Sequence, residues 1–186
     1  MKSHIFPGIR LTLICLIFFV GVYSVTIYGI AQFTPNRGKG EIVIQNGKTY
    51  YSNIGQQFTE DKYFYSRPSA VNYNAASSGA SNKSTINSDY LKQVQARIDT
   101  FLIHNPGIEK SAIPSDIVTA SGSGLDPNIS VQAAEIQIKR IAKIRGITEE
   151  KLEQLVRSNI EKPFLGLFGT EKINLLKLNL ALDNLK

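Results

Sequence analysis

The sequence predicts an α+β protein in which one N-terminal transmembrane helix is followed by a single mixed α/β soluble domain. Residues 11–33 contain no Asp, Glu, Lys, Arg or His, which is typical of a membrane span. The rest of the chain combines two β-prone runs around Asn46-Gly47 with several segments of helical periodicity. We therefore divide the 186 residues into a basic N-terminal tail (1–10), the transmembrane helix (11–33) and the soluble domain (34–186).

The apolar run is long enough to cross a bilayer, because 23 helical residues at about 1.5 Å each span the roughly 30 Å hydrocarbon core. A cleavable signal peptide is the alternative, since Lys2 and Arg10 form a basic n-region and Gly29-Ile30-Ala31 matches a small-x-small cleavage site. The apolar region of a signal peptide extends over only about 7 to 15 residues. The length therefore favours an uncleaved anchor.

The orientation is less strongly specified, because basic residues lie on both sides of the run. A short basic tail before the span favours a soluble domain outside the cytoplasm. The cysteine content agrees, since the single cysteine, Cys15, lies within the run. We expect a single-pass protein of the cell (inner) membrane. Its net charge of +6 includes no long basic run or basic-aromatic stripe, which favours membrane lipid and argues against nucleic acid as a partner.

The soluble domain should begin with a β-hairpin and end with a strand. Residues 41–45 and 48–51 are β-prone and flank Asn46-Gly47, the dipeptide that best suits a type I′ turn. Residues 173–180 alternate like a strand, and residues 181–185 would form a short terminal helix or tail.

Three helices are expected between these strands. The first covers residues 89–104 with Ser88 as its N-cap, and the second begins after the cap Ser130 and ends at Gly146. The third covers residues 149–159 after the cap Thr148 and is stopped by Pro163. Their predicted core faces are, in chain order, Leu91, Val94, Ile98, Phe101 and Leu102; Ala134, Ile138, Ile141 and Ala142; and Leu152, Leu155 and Val156.

Residues 66–88 differ in composition from the rest of the domain, being rich in Ser, Asn, Gly and Ala. A stretch of this kind is either a mobile linker or a functional loop held by its own hydrogen bonds. Arg67-Pro68 and Tyr73 are stiff, anchoring residues that a free linker does not need. Both interpretations stay open at the level of the sequence.

The sequence offers no catalytic residues and no metal site. His4 precedes the membrane span, and His104 ends an amphipathic helix, where a cation is favoured by the helix dipole. A catalytic triad would have to use His104, and a zinc site built on Cys and His lacks enough ligands.

Residues 118–130 place small hydroxyl residues and two glycines directly before a helix. Backbone amides in such a loop can hold a phosphate. The segment has no following Lys-Ser or Lys-Thr and lacks a third glycine. A tight turn that prepares the helix is the stronger interpretation.

Several longer motifs resemble one known family, the C subunit of the Kdp-type potassium-transporting P-type ATPase. After the N-terminal anchor they follow in order along nearly the whole chain: Gly55-Gln56-Gln57-Phe58, Tyr63-Phe64, Arg67-Pro68-Ser69-Ala70, Tyr73-Asn74, Ser78-Gly79-Ala80-Ser81-Asn82, the run from Val118 to Asp126, Ile129-Ser130, Gln132-Ala133-Ala134 and Leu178-Asn179-Leu180-Ala181-Leu182-Asp183. So many motifs in one order are very specific for this family.

The resemblance implies a non-catalytic accessory subunit of an ATP-driven potassium uptake complex. Its partners would be a potassium-translocating subunit, an ATP-hydrolysing P-type subunit and a small single-helix subunit. The family is described as a catalytic chaperone that raises the ATP affinity of the pump subunit. No tightly bound cofactor is implied, because ATP would be contacted only in a transient ternary complex.

The resemblance also implies two sets of site residues. The nucleotide contact would involve Ser121, Gly122, Ser123, Gly124 and Gln132. This contact conflicts with an extracytoplasmic domain, which has no access to cytosolic ATP. We therefore interpret residues 66–88 as a surface for docking over the extracytoplasmic face of the potassium subunit, with docking residues Arg67, Pro68, Tyr73, Asn74, Ser81 and Asn82. The alternative from another class is a membrane-anchored extracytoplasmic binding or hydrolytic domain that acts alone.

Overall fold

The structure is a computed structural model that describes residues 4–45 and 47–185, and it divides into two compact units, residues 1–51 and 52–186. The first unit contains a long helix, α1 (Ile5–Ala31), and a two-stranded hairpin. The second contains the remaining helices and strands. The predicted α+β class with one N-terminal apolar helix is confirmed, whereas the domain boundary at residue 34 stays a prediction.

Helix α1 is by length and composition suited to crossing a membrane. It begins at Ile5 and ends at Ala31, and the membrane span at residues 11–33 stays a prediction. Pro7 lies in the first turn, where its missing N–H breaks no intrahelical hydrogen bond. The hydroxyls of Thr12 and Thr26 donate to carbonyls one turn earlier, which satisfies these polar groups within the helix.

The predicted hairpin is confirmed. Strands β1 (Ile42–Gln45) and β2 (Lys48–Tyr51) pair antiparallel, with Gln45 opposite Lys48. Gly47 has a φ of +74°, as a type I′ turn requires, whereas Asn46 lies outside the described residues.

The second unit surrounds a small antiparallel sheet with helices. Its elements in chain order are α2 (Ser88–His104), β3 (Asn128–Ile129), α3 (Val131–Glu135), α4 (Ile138–Arg145), α5 (Glu149–Ser158), β4 (Ile160–Glu161), β5 (Lys172–Asn174) and α6 (Leu175–Asp183). Strand β5 is central, with Ile173 opposite both Ile129 of β3 and Ile160 of β4.

The hydrophobic core lies between this sheet and helices α3 to α6. Every predicted core residue of the second and third helices is buried, and the caps Ser130 and Thr148 accept the backbone N–H groups of Ala133 and Lys151. Gly146 adopts the left-handed conformation that ends α4.

The predictions for the first helix were partly wrong. Its N-cap is Asn87 rather than Ser88, because the Asn87 side chain accepts the N–H of Tyr90. Phe101 is buried, and Val94 and Ile98 pack against the core, but Leu91 is exposed. The core therefore contacts α2 at Val94, Ile98 and Phe101 and leaves most of the first turn exposed.

The second predicted helix is divided in two at Gln137. This side chain is fully buried and donates to the carbonyl of Ala133, while its oxygen accepts the N–H of Tyr65 at 2.8 Å. The break separates α3 from α4 and turns a polar side chain into the core.

The predicted strand over residues 173–180 was also wrong, because only residues up to Asn174 are extended. Asn174 caps α6 by accepting the N–H of Lys177. Leu175, Leu178 and Leu182 then recur at the helical spacing and are buried, which explains why a helix replaces the strand. Strands β3 and β4 were not predicted, and the third helix ends at Ser158, well before Pro163.

Candidate functional site

Residues 66–87 form an ordered segment that packs on the glycine-rich loop at residues 121–126. The N–H of Gly79 and the hydroxyl of Ser78 both donate to the carbonyl of Ser123, at 2.8 and 2.9 Å. The Ser69 hydroxyl donates to the Gly124 carbonyl at 2.6 Å. Of the two interpretations of this segment, the loop held by its own hydrogen bonds agrees with the structure.

Gly124 permits the close approach of the two loops. It has a φ of +68°, and a Cβ atom there would lie 2.6 Å from a methyl of Val71 and 2.7 Å from the carbonyl oxygen of Gly79. Gly55 serves the same purpose on a third segment. Its N–H donates to Leu125, and a Cβ would lie 2.7 Å from the carbonyl oxygen of Asp126. These glycines are needed for packing.

An ion pair fixes the base of residues 66–87, called the docking segment here after the role predicted for them. The Arg67 guanidinium contacts the Asp126 carboxylate at 2.5 Å, and both side chains are largely buried. The other oxygen of Asp126 accepts the N–H of Asn128 at 3.0 Å, which orients the carboxylate. The Tyr73 hydroxyl donates to the carbonyl of Arg67, and burial raises the pKa of Tyr73.

The six predicted docking residues differ in their exposure to solvent. Arg67, Pro68 and Tyr73 are half-buried and shape the segment from within. Asn74, Ser81 and Asn82 are exposed on its surface. Asn82 has a φ of +51°, a conformation that asparagine tolerates better than most residues.

The five predicted nucleotide-contacting residues do not line one cavity. Ser121 and Gly124 are buried, and the N–H of Gly124 donates to the carbonyl of Ser121. Gly122 and Ser123 are exposed, and the Ser123 hydroxyl accepts the N–H of Leu125. Gln132 instead lines a cavity of about 430 Å³ and donates to the carbonyl of Ala112.

The cavity beside Gln132 carries mixed charge. Its basic side chains are Arg67 and Lys172, and its acidic side chains are Asp116, Asp126 and Glu171. Asp116 accepts both the N–H and the hydroxyl of Ser130, which fixes the start of α3. Carboxylates thus outnumber cations, which is unfavourable for a triphosphate.

A second cluster of hydrogen-bonded groups surrounds a buried arginine, Arg140, and was not predicted from the sequence. Arg140 is only 6% exposed and donates to Asn105, to Gln137 and to the carbonyls of Asp61 and Tyr63. Its guanidinium carbon lies 4.0 Å from the centroid of the Tyr65 ring. Burial lowers the pKa of Arg140. No local sequence pattern indicated this burial, because Arg140 lies outside the predicted apolar face of Ala134, Ile138, Ile141 and Ala142.

At the edge of this cluster, the Asp61 carboxylate contacts the side chains of Tyr65 and His104. It accepts the Tyr65 hydroxyl, and its carboxylate lies 2.8 Å from Nδ1 of His104. The pKa of Asp61 lies below its ordinary value, chiefly because of the hydrogen bond from the Tyr65 hydroxyl and to a smaller extent because of His104. Burial raises the pKa of Tyr65 to about 12. Within residues 4–45 and 47–185, no group of three His, Cys, Asp or Glu side chains could hold a metal ion.

Comparison with known proteins identifies the family. The model of the family described as "K+-transporting ATPase, c chain" matches residues 5–184. The chain belongs to this family. Relatives named potassium-transporting ATPase KdpC subunit include that of Flavobacterium psychrophilum, 54% identical over 99% of this chain and 100% of its own length. The relative from Bacteroides fragilis is 48% identical over 100% of this chain and 99% of its own length. The relative from Caldanaerobacter subterraneus is 47% identical over 98% of this chain and 95% of its own length.

Membership of this family implies that the chain assembles with other subunits of a potassium-transporting ATPase. Three of the motifs that carried the resemblance lie within residues 66–87, and a fourth contains the glycine-rich loop on which those residues pack. A further cavity of about 470 Å³ lies between the docking segment and α2, and its lining includes Phe58, Tyr65, Tyr73, Phe101, Arg97 and His104.

Proposed function

We propose that the chain is a non-catalytic accessory subunit whose folded body lies outside the cytoplasm and docks over the potassium-translocating subunit. Helix α1 anchors it in the membrane beside that subunit, the ATP-hydrolysing P-type subunit and the small single-helix subunit. Its role is assembly and stability of the complex. The observation that carries the proposal is the ordered segment 66–87, which has no helix or strand and yet is fixed to the glycine-rich loop.

Such a segment suits a docking surface. Its internal partners already hold it in one conformation, so docking costs little additional conformational entropy. Asn74, Ser81 and Asn82 expose uncharged polar groups that can donate and accept hydrogen bonds across an interface. Beneath this surface, the Arg67–Asp126 ion pair and the hydrogen bond from Tyr73 to Arg67 stabilise its conformation.

A bulky substitution at Ser81 tests the docking surface. Ser81→Trp adds a large side chain at an exposed position, so the fold should survive while close contact with the potassium-translocating subunit is lost. Ser111→Trp is the matched control, since Ser111 is exposed on a different segment. We expect Ser81→Trp alone to reduce co-purification with the tagged potassium subunit. Equal recovery of both variants, with normal potassium uptake, would contradict the proposal.

A second candidate function is assistance to ATP binding, as the family resemblance implies. The observation that favours it is the position of Gln132 in a cavity that also contains Arg67 and Lys172. Two observations argue against it: residues 121–124 do not contribute to the lining of that cavity, and its lining includes three carboxylates. Photo-labelling with an azido-ATP analogue decides between the two. Labelling of residues 121–132 in inside-out vesicles alone would favour ATP assistance and overturn the extracytoplasmic placement.

A further inference from the structure

The most unusual surface of the second unit is a hairpin tip at residues 164–168, here called the apolar tip. Its four large side chains are Phe164, Leu165, Leu167 and Phe168, which are 71%, 74%, 80% and 65% exposed. Isolated exposed apolar residues are common on proteins, but a contiguous group of this size marks a binding surface. The apolar tip is therefore the strongest candidate for an additional interface.

The backbone of the apolar tip is held in a defined turn. Phe164 and Phe168 exchange two hydrogen bonds of 3.0 Å each across the hairpin. The N–H of Gly166 donates to the carbonyl of Pro163 at 2.9 Å, and Gly166 has a φ of +72°. The four apolar side chains are thus displayed on a preformed, convex shape, which lowers the entropy cost of inserting them into a complementary pocket.

The size of the surface fits the centre of a protein interface. At these exposures the four side chains present on the order of 500 Å² of apolar surface. A stable interface buries roughly 800 Å² on each partner, with its apolar residues at the centre. The apolar tip could supply most of that centre, and the charged residues around it would form the rim.

The charges around the apolar tip are of both signs, as in the polar rim of a protein interface. Residues 163–170 carry no charge. At the base, Lys172 and Lys177 both approach Glu161, at 4.0 and 3.1 Å, so these ammonium groups are paired. Lys162, which precedes Pro163, is exposed and adds a further positive charge, so the base carries charges of both signs. Glu171 adds a carboxylate that anionic lipid headgroups would repel. Segments that lie on a membrane surface instead carry a polar face rich in Lys or Arg.

We propose that the apolar tip inserts into an uncharged, apolar pocket on a neighbouring subunit of the potassium-transporting ATPase. The occupant is a protein surface of the same complex, because this chain belongs to a family of subunits and displays a preformed apolar centre with a mixed-charge rim. The inference rests on family membership. It does not depend on which side of the membrane the body faces or on docking through residues 66–87.

Site-specific photo-cross-linking in the intact complex tests this inference. A benzoylphenylalanine residue placed at Leu167 should form an adduct with another subunit, at a yield at least about five times that of the same residue at Ile103. Ile103 is the matched control because it is 77% exposed on α2, away from the hairpin. Adducts with lipid alone, or a yield no higher than at Ile103, would overturn the proposal.

A pair of polar substitutions provides an independent test. Phe164→Ser combined with Leu167→Ser removes apolar surface that is exposed in the isolated chain, so the thermal midpoint of this chain should not change. Retention of the chain in the detergent-washed complex should fall about tenfold, as expected when two residues at the centre of an interface are lost. Unchanged retention would overturn the proposal. Ser81→Trp acts on a different surface, so a failure of the docking proposal can be distinguished from a failure here.

Discussion

Arg67 and Asp126 form an ion pair although 59 residues separate them in the chain. The pair connects the start of the docking segment to the end of the glycine-rich loop. It lies beside the contacts of Ser69 and Gly79 with that loop, so these interactions act together. A polar segment without helix or strand is thereby converted into a surface of fixed shape.

The ion pair should contribute measurable coupling energy. Arg67→Met and Asp126→Asn each break it, while the asparagine keeps an oxygen for the N–H of Asn128. Because both side chains are largely buried, we expect a double-mutant cycle to give about 1 to 2 kcal/mol. The measurement is urea unfolding of the detergent-solubilised chain. A coupling energy near zero would show that the segment does not depend on this pair.

Gly124 should be far less replaceable than its neighbour Gly122. An alanine Cβ at Gly124 would overlap Val71 and Gly79, whereas nothing lies within 4 Å of the corresponding position at Gly122. Gly124→Ala should lower the free energy of unfolding by more than about 3 kcal/mol, and Gly122→Ala should change it by less than about 0.5 kcal/mol. Comparable losses from both substitutions would refute the packing role of Gly124.

Arg140 should be essential for stability although it is charged. Arg140→Met leaves Asn105 and two backbone carbonyls without their donor in the interior, which should cost about 3 to 5 kcal/mol. Lys139→Met is the control, because Lys139 is the adjacent residue and is exposed. Thermal and urea unfolding of both variants measure the difference. A stable Arg140→Met protein would mean that water satisfies these acceptors.

The ionisation of Asp61 should make the free energy of unfolding depend on pH in the acidic range. Its pKa in the folded chain is lower than the ordinary value of 3.8, chiefly because of the Tyr65 hydroxyl. The unfolded chain therefore binds the proton first, and the contribution of Asp61 is complete above pH 3.8 and is lost as the pH falls through the lower folded value. The stability difference between the wild type and Asp61→Asn should shrink over this window in urea titrations. Tyr65→Phe should flatten the same dependence, and a constant difference down to pH 2 would contradict the assignment.

Local sequence patterns predicted much of this fold because several elements have strong local signals. Asn46-Gly47 identified the hairpin, and Ser130, Thr148 and Gly146 identified helix ends through capping geometry. The buried faces of α4 and α5 followed from helical periodicity. These features depend on neighbours within a few residues.

The remaining features depend on contacts between distant segments. Residues 173–180 satisfy both a strand and a helix pattern, and the cap Asn174, which also donates to Ser52, decides in favour of the helix. Gln137 and Arg140 are buried because backbone groups near residue 63 require partners, which no local pattern indicates. The sequence likewise marked residues 66–88 as unusual without revealing the loop on which they pack.

The central claim is that the folded body lies outside the cytoplasm, and thiol labelling in spheroplasts tests it most directly. Replacing Cys15 by serine removes the single native cysteine, and Ser111→Cys then places one thiol at an exposed position of the body. We predict that a membrane-impermeant maleimide labels this thiol equally in intact and in permeabilised spheroplasts. Labelling that appears only after permeabilisation would place the body in the cytoplasm and contradict the account.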